Sequence, residues 1–323
     1  MLTKFFSGSF IPAVVASLML VACGSSGNDD PVVRLGGALD RPAELSAGAL
    51  AERPAVTQTV AFLSGSGMQQ RTYTGADLWS LLTDLGIQID PSARNDTLNR
   101  YVLATGADGY RVVFGLGELD PRLGNKGSIL AYAETRDGVS GPIADEDGPF
   151  RGTAPGDVRG GRHVSQLVRL DVFPSGSTLA ASGGGPSSGF TVSGAVGAPA
   201  DFDLEALRAL PATTVTVGTD QYTGVALWTL LDGLALTSDA SIKNPLLSMY
   251  AVATGSDGYK AIVSIGEIHP SFGNARAVVA YQINGSPLDR NGMARLVMPD
   301  DQAGSRRVSN LIGIEVFAAP AAP

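Results

Sequence analysis

The sequence predicts an α+β chain built from two tandem copies of one domain, and three observations carry that prediction. The first is an internal repeat. Tyr73-Thr74-Gly75-Ala76-Asp77-Leu78-Trp79 returns as Tyr222-Thr223-Gly224-Val225-Ala226-Leu227-Trp228, and the 149-residue offset holds without a gap to Tyr132 and Tyr281, with 26 identities over those 60 positions. Such self-similarity marks a duplicated structural unit. The second is a leucine stripe at helical spacing, Leu78, Leu81, Leu82 and Leu85, repeated as Leu227, Leu230, Leu231 and Leu234. The third is a pair of short apolar runs, 101–104 and 111–114, joined across Asp108-Gly109, a strong hairpin signal.

Taken in order, the copies span residues 35–173 and 190–317, with a short tail at 318–323. Upstream of the ungapped stretch the offset is 157, pairing Gly37 with Gly194 and Pro54 with Pro211. Downstream it is 144, pairing Arg151 with Arg295, Pro155 with Pro299, Arg162 with Arg306 and Phe173 with Phe317. Copy one therefore carries eight extra residues near 64–70 and five near 145–148, both with loop-like composition. Thr74 is a plausible N-cap with Asp77 three residues on, and Gly86 can end that helix in a left-handed conformation. Further strands are expected at 128–133 and 278–283. The alternating runs 166–173 and 310–317 read as half-buried final strands. Between the copies, residues 174–189 are rich in Gly and Ser, uncharged and aperiodic, and predict a flexible linker.

The chain begins with an export signal. Lys4 is a short basic start, and residues 10–22 are apolar apart from Pro12 and Ser17, a run too short for a confident membrane span. It ends in Leu20-Val21-Ala22-Cys23-Gly24, which resembles the lipobox of bacterial lipoproteins. The resemblance implies cleavage after residue 22, acylation of Cys23, including its new N-terminus, and a polar tether over residues 23–34. Each buried methylene of such a lipid adds roughly 0.8 kcal/mol, so several chains hold a protein stably at a membrane. Gly24 after the cysteine implies the periplasmic face of the outer membrane in a Gram-negative envelope.

Composition then narrows the chemistry. Cys23 is the only cysteine, so the mature domains hold no disulfide, no thiolate nucleophile and no cysteine-based metal site. The only histidines, His163 and His269, are not equivalent in the repeat, because His269 aligns with Asp120. A duplicated histidine metal site is excluded, and no spacing suits a zinc or calcium loop. A formal net charge of −8 argues against nucleic acid as a partner.

Several motifs in fixed order resemble the molybdopterin-binding domain of the sulfite oxidase family. They are Tyr-Thr-Gly-x-x-Leu-Trp, the Ala104-Thr105-Gly106-Ala107-Asp108-Gly109-Tyr110 turn with its copy at residues 253–259, and Gly117-Glu118-Leu119-Asp120-Pro121 with Gly266-Glu267-Ile268-His269-Pro270. Arg295-Leu296-Val297-Met298-Pro299-Asp300 and the endings from Gly160-Gly161-Arg162-His163-Val164 and Gly304-Ser305-Arg306-Arg307-Val308 complete the set. The likeness covers both copies. It implies a mixed sheet with short helices and a pterin held between loops at strand ends. Enzymes of that family hold molybdenum partly through a protein cysteine, and neither copy has one; soft sulfur is part of how such a centre is built. The resemblance thus allows molybdopterin as a cofactor and argues against molybdenum.

The resemblance also places Arg162 and Arg306 where the pterin phosphate is met, behind glycines that admit an anion. A guanidinium suits phosphate bidentately, though each arginine equally suits an acidic partner. Arg307 and His163 share one repeat position and join them as candidates, His163 either assisting an anion or serving structure. Asn125 and Asn274 either contact ligand or occupy left-handed turns beside Gly124 and Gly273. Asp108 and Asp257 read as turn formers, Glu118 and Glu267 as caps or general bases, and Trp79 and Trp228 as core. Three functions compete: a non-catalytic protein binding a pterin, another anionic small molecule or an envelope partner; a molybdopterin oxidoreductase without a thiolate ligand; and an envelope scaffold.

Overall fold

In the computed structural model, which describes residues 1–2 and 30–321, each copy opens on a strand that pairs in parallel with its own last strand. The lipobox and Cys23 lie outside the described residues, as does most of the expected tether, whose last residues, from Val32, already belong to the first strand. Copy one runs β1 (Val32–Gly37), β2 (Ala43–Ser46), α1 (Ala47–Ala51), β3 (Ala55–Ser64), β4 (Gly67–Asp77), α2 (Leu78–Leu85), β5 (Arg100–Gly106), β6 (Arg111–Gly115), α3 (Leu116–Leu119), β7 (Ile129–Arg136), β8 (Val139–Pro142), β9 (Arg151–Gly152) and β10 (Leu167–Pro174). Copy two repeats it as β11 (Phe190–Gly194), β12 (Ala200–Phe202), α4 (Leu204–Arg208), β13 (Ala212–Val217), β14 (Asp220–Ala226), α5 (Leu227–Asp232), β15 (Met249–Gly255), β16 (Lys260–Ser264), α6 (Ile265–Ile268), β17 (Val278–Ile283), β18 (Ser286–Pro287), β19 (Arg295–Val297) and β20 (Leu311–Ala318).

The chain is mostly sheet with short helices, an α+β arrangement of four sheets, two per copy. In copy one the mixed sheet has the order β2-β1-β10-β5-β6, and β3-β4-β7-β8 with β9 form the antiparallel one; copy two has β12-β11-β20-β15-β16 and β13-β14-β17-β18 with β19. The leucine stripes lie where expected on α2, where Leu78, Leu81, Leu82 and Leu85 are buried, and on α5 for Leu227, Leu230 and Leu231, whereas Leu234 falls beyond the end of α5 and is half-buried. The expected helix start differs by one turn. Thr74 stays in β4, where its hydroxyl meets Thr57, and Asp77 is the cap, accepting a hydrogen bond from the Ser80 amide. Cross-strand pairing with β3 and β7 holds the backbone extended through Asp77, so the second polar residue of the motif takes the capping role. Gly86 ends α2 at φ +81° as anticipated.

Eight of copy one's additional residues lengthen one hairpin. Its β3 and β4 have 10 and 11 residues, whereas β13 and β14 have 6 and 7, so each strand is four residues longer than its counterpart. The expected flexible linker is pinned instead. Ser175 lies buried, donating its amide to Asn99, and accepts from the Tyr250 hydroxyl; Ser182 and Gly184 both donate to the Ser256 carbonyl, and Lys260 reaches the Leu179 carbonyl. Gly and Ser composition describes only what a backbone is free to do, and here it is spent on hydrogen bonds to copy two.

From Pro31 onward the described residues form one compact unit. The copies dock with related residues face to face. Tyr101 packs against Tyr250, its repeat equivalent, with ring centroids 4.4 Å apart and the rings tilted by 35°, inside a cluster with Leu103, Val113, Val252 and Ile262. This is the self-complementary contact of a two-fold dimer, made within one chain. Each copy also lends the other a leucine: Leu98 of copy one enters the core of copy two, and its equivalent Leu247 enters the core of copy one. Each burial is worth about 2 kcal/mol to the docked state.

Candidate functional site

Two places gather chemistry-bearing side chains, and both lie where the copies meet. The first holds the two arginines singled out in the sequence. The tight turns that follow β6 and β16 aim Glu118 and Glu267 inward, and short 3-10 turns at Gly160–Arg162 and Gly304–Arg306 aim the arginines to meet them. Arg162 is fully buried. It donates to Asp157 at 2.9 Å and to Glu118, and crosses to Ser264 of copy two at 3.3 Å. Arg306, 2 % exposed, donates to Asp301 through two nitrogens and to Glu267 at 2.6 Å. Each arginine lies against a glycine of the other copy: a Cβ on Gly117 would stand 2.5 Å from Arg306 Cδ, and one on Gly266 would stand 2.5 Å from Arg162 Cδ.

Every guanidinium nitrogen in this cluster has a protein partner, which leaves neither arginine an edge for a pterin phosphate. Of the two readings open for these residues, the structure has the acidic pairing. Glu118 and Glu267 are likewise buried ion-pair partners rather than caps; the Glu267 turn is capped by Ser264.

The cluster departs from two-fold symmetry at two positions. Lys126 pairs with Asp157 in copy one, and its equivalent is Ala275. Ser264 donates to the second oxygen of Glu118 at 3.1 Å, and its equivalent is Gly115. Glu267 Oε2 is therefore left without a hydrogen-bond partner. Four carboxylates, Glu118, Asp157, Glu267 and Asp301, face three cations, Arg162, Arg306 and Lys126. Burial opposes ionisation of Glu118, but Arg162 and Lys126 outweigh it and hold its carboxyl below the ordinary carboxylate range. Burial pushes Glu267 up to about 7; Arg306 relieves this only in part, and the charge of Glu118 adds to it. Glu267 and then Asp301 hold Arg306 charged against its burial, and Glu267, the acid with an unpartnered oxygen, is the member that takes a proton.

The second place is a crevice of about 680 Å³ between the copies. One wall is the β3 end, Phe62–Gly65 region, of the lengthened hairpin of copy one; the other is copy two's 243–247 and 269–272. Phe62 stacks on His163 at 4.4 Å, Leu63 pairs with Val158, and Val158 in turn hydrogen-bonds Phe272 across the copies. Copy one's five additional residues stand behind that lining: Asp147 from their loop ion-pairs with Arg151 and accepts from Ser165, both of which line the crevice. Arg151 is 6 % exposed, and its Nε has no hydrogen-bond partner. His163, 4 % exposed, accepts the Ala154 amide on Nδ1, so the proton of the neutral ring sits on Nε2, which likewise has no partner. Burial and the charges of Arg151, Lys126 and Arg162 push this imidazole down to about 3. Tyr110 bridges the wall, donating to the Gly161 carbonyl at 2.6 Å and accepting from Asn244.

In copy two the equivalent lining is divided between two separate cavities, of about 280 and 460 Å³. There the hairpin is short, Ala303 stands for Arg159 and Asp120 stands for His269. Of the other sequence candidates, Arg307 is half-buried at the position of His163 and lies beside Arg295, the equivalent of Arg151; burial, and then the charge of Arg307, lower the Arg295 pKa. Asn125 and Asn274 are exposed and occupy left-handed turns at φ 48° and 50°, outside the crevice. Asp108 and Asp257 accept the amides of Tyr110 and Tyr259 and shape the turns, as read from the sequence. Sequence reasoning missed Arg151, Arg159, Phe62 and Lys243. The signal for them was the placement of both insertions in the same copy.

The crevice donors are guanidinium, ammonium, imidazole and hydroxyl groups, with no soft sulfur, and no cysteine follows Cys23. They fit anionic oxygen and do not fit a thiolate-held molybdenum. Among the described residues no group of three or more His, Cys, Asp or Glu side chains is placed to hold a metal ion, and no helix is long and apolar enough to cross a membrane.

Compared with known proteins, the chain matches no family model and no curated protein. Among solved structures it is similar to the sulfane dehydrogenase SoxCD from Paracoccus pantotrophus, with a TM-score of 0.37 and 12 % identity, over 90 % of this chain and 78 % of that one.

Proposed function

We propose that this chain is a lipid-anchored envelope protein that holds a small molecule in the crevice of its first copy and does not carry out molybdenum chemistry. The single observation behind this reading is that both insertions of copy one meet at one crevice, the hairpin in its wall and the loop through Asp147 on Arg151 and Ser165, whereas copy two divides the equivalent lining between two cavities and lacks Arg159 and His269. A protein that keeps a second copy as half of the wall, while building one continuous pocket in the first, divides the work between binding and support. The anchor rests on the lipobox at Cys23, and the envelope assignment follows from it. The absence of a catalytic role rests on the donor set: Arg162, Arg306, Glu118 and Glu267, the groups best suited to acid–base work, are consumed in mutual ion pairs away from the crevice.

The test is analysis of the full chain purified from its native membrane for metals, pterins and other extractable small molecules. The expected result is an organic molecule without stoichiometric molybdenum, together with a lipid-modified N-terminal peptide. Stoichiometric molybdenum would overturn the reading.

A further inference from the structure

We propose that the crevice of copy one selects an oxyanion carried on an apolar ring, an aromatic carboxylate or an aryl phosphate, with Arg151, Arg159 and Lys243 meeting the oxygens. The inference rests on the binding role proposed above and names the class of ligand. Three features of this chain support it.

The first is charge. The sequence is acidic, with a net charge of −8, yet the crevice is lined by Arg159 and Lys243, which have no ion-pair partner among the described residues, beside Arg151, which Asp147 pairs from outside the lining; Asp108, the carboxylate in that lining, is turned to the Tyr110 amide. A cationic cleft in an anionic molecule concentrates the field on one spot and draws anions to it. In copy two the equivalent cavities set Asp120 beside Arg122, and Asp90, Asp96 and Asp257 beside Arg94 and Lys260, so acids there match or outnumber the cations.

The second is the polarity of the groups held inside. Arg151 Nε and His163 Nε2 are buried, carry protons and have no protein acceptor. Buried donors without partners are unfavourable by about 1–3 kcal/mol each, and an acceptor-rich ligand relieves them. Both groups offer protons only, so the complementary ligand supplies oxygens. His163 stays neutral down to about pH 3, so the attraction comes from the arginines and lysine and does not titrate near neutrality.

The third is the apolar part of the walls. Phe62 stacks on His163 on one side of Gly160-Gly161, and Leu246 and the half-buried Phe272 line the crevice from copy two, with the Tyr110 ring near Lys243 at 5.9 Å. Aromatic and aliphatic side chains in a lining suit an apolar ring.

The experiment is calorimetric titration of the full chain with four ligands that share one ring, benzoate, phenyl phosphate, benzyl alcohol and benzylamine, and with inorganic phosphate as a headgroup alone. Benzoate or phenyl phosphate should bind at least about tenfold more tightly than benzyl alcohol and benzylamine. Which of the two anions binds better identifies the headgroup. Inorganic phosphate should bind more weakly than phenyl phosphate. Replacing the two exposed cations together, Arg159→Ala with Lys243→Ala, should weaken the favoured anion about tenfold, as expected for two solvent-exposed charge contacts, and should reduce its salt dependence. Both residues are exposed, so the fold should survive, which circular dichroism checks. Benzyl alcohol binding as well as the anions would overturn the oxyanion class and leave the crevice as a ligand site. Unchanged anion affinity in the double variant would also overturn it. No binding by any of the ringed ligands would count against both the class and the crevice.

Discussion

Glu267→Gln should make the protein relatively more stable as the pH rises, against the usual expectation for breaking a buried ion pair. The structure holds the Glu267 carboxyl at about 7, against an ordinary value of 4.5. A carboxyl raised in the folded state favours folding fully when it is protonated in both states, below about pH 4.5, and that contribution is lost as the pH rises toward 7. The difference of about 2.5 units corresponds to roughly 3 kcal/mol at 1.36 kcal/mol per unit. Glutamine resembles the protonated acid in shape and cannot ionise. The stability of the variant relative to the native chain should therefore climb by about 3 kcal/mol between pH 4.5 and pH 8. Urea unfolding followed by tryptophan fluorescence at several pH values measures it. The control is Glu118→Gln. Glu118 is held below its ordinary value, so its contribution is present above that value and disappears on acidification, and the control should slope the opposite way. Parallel pH profiles for native chain and Glu267→Gln would refute the reasoning.

Two further outcomes follow from the same cluster. Supplying the missing partners, Gly115→Ser together with Ala275→Lys, should hold Glu267 ionised and flatten its share of the pH dependence. A Cβ at Gly115 meets only Ile262, at 3.5 Å, so the serine fits, and a profile unchanged from the native chain would count against the assignment. Gly117→Ala and Gly266→Ala should each lower stability by about 1–3 kcal/mol, because the new methyl presses on an arginine anchored by two acids. Thermal melts check this; a change below about 0.5 kcal/mol would mean that the arginine stems give way freely.

Much of the fold was legible because its signals are local. The leucine stripes, the Asp-Gly hairpin turn and the alternating final strands each declare themselves within ten or so residues, and the duplication made each signal appear twice. The helix start at Asp77 was obscured by strand pairing, which holds Thr74 in β4 through partners far away in sequence. The arginines show the limit most clearly. Arg162 and Arg306 were recognisable as special, and the acids Asp157 and Asp301 stand five residues before them, but the decisive neighbours, Ser264, Gly266 and Gly117, come from the opposite copy. The sequence placed its anion candidates on Arg162 and Arg306, whereas the cations that line the crevice are Arg151, Arg159 and Lys243, which converge only when the long hairpin of one copy and a loop of the other close around the same space.

The packing of Tyr101 against Tyr250 has a consequence for abundance. Two separate chains meeting through such a face would come apart on dilution, since association of subunits obeys mass action. With both halves on one chain, joined by a segment that is itself pinned from Ser175 to Ser187, each half sees the other at an effective concentration fixed by geometry. A chain present at a few copies per cell keeps its crevice as complete as one present at thousands. The same linkage lets a single substitution occur once, where a symmetric dimer would impose it on both halves together.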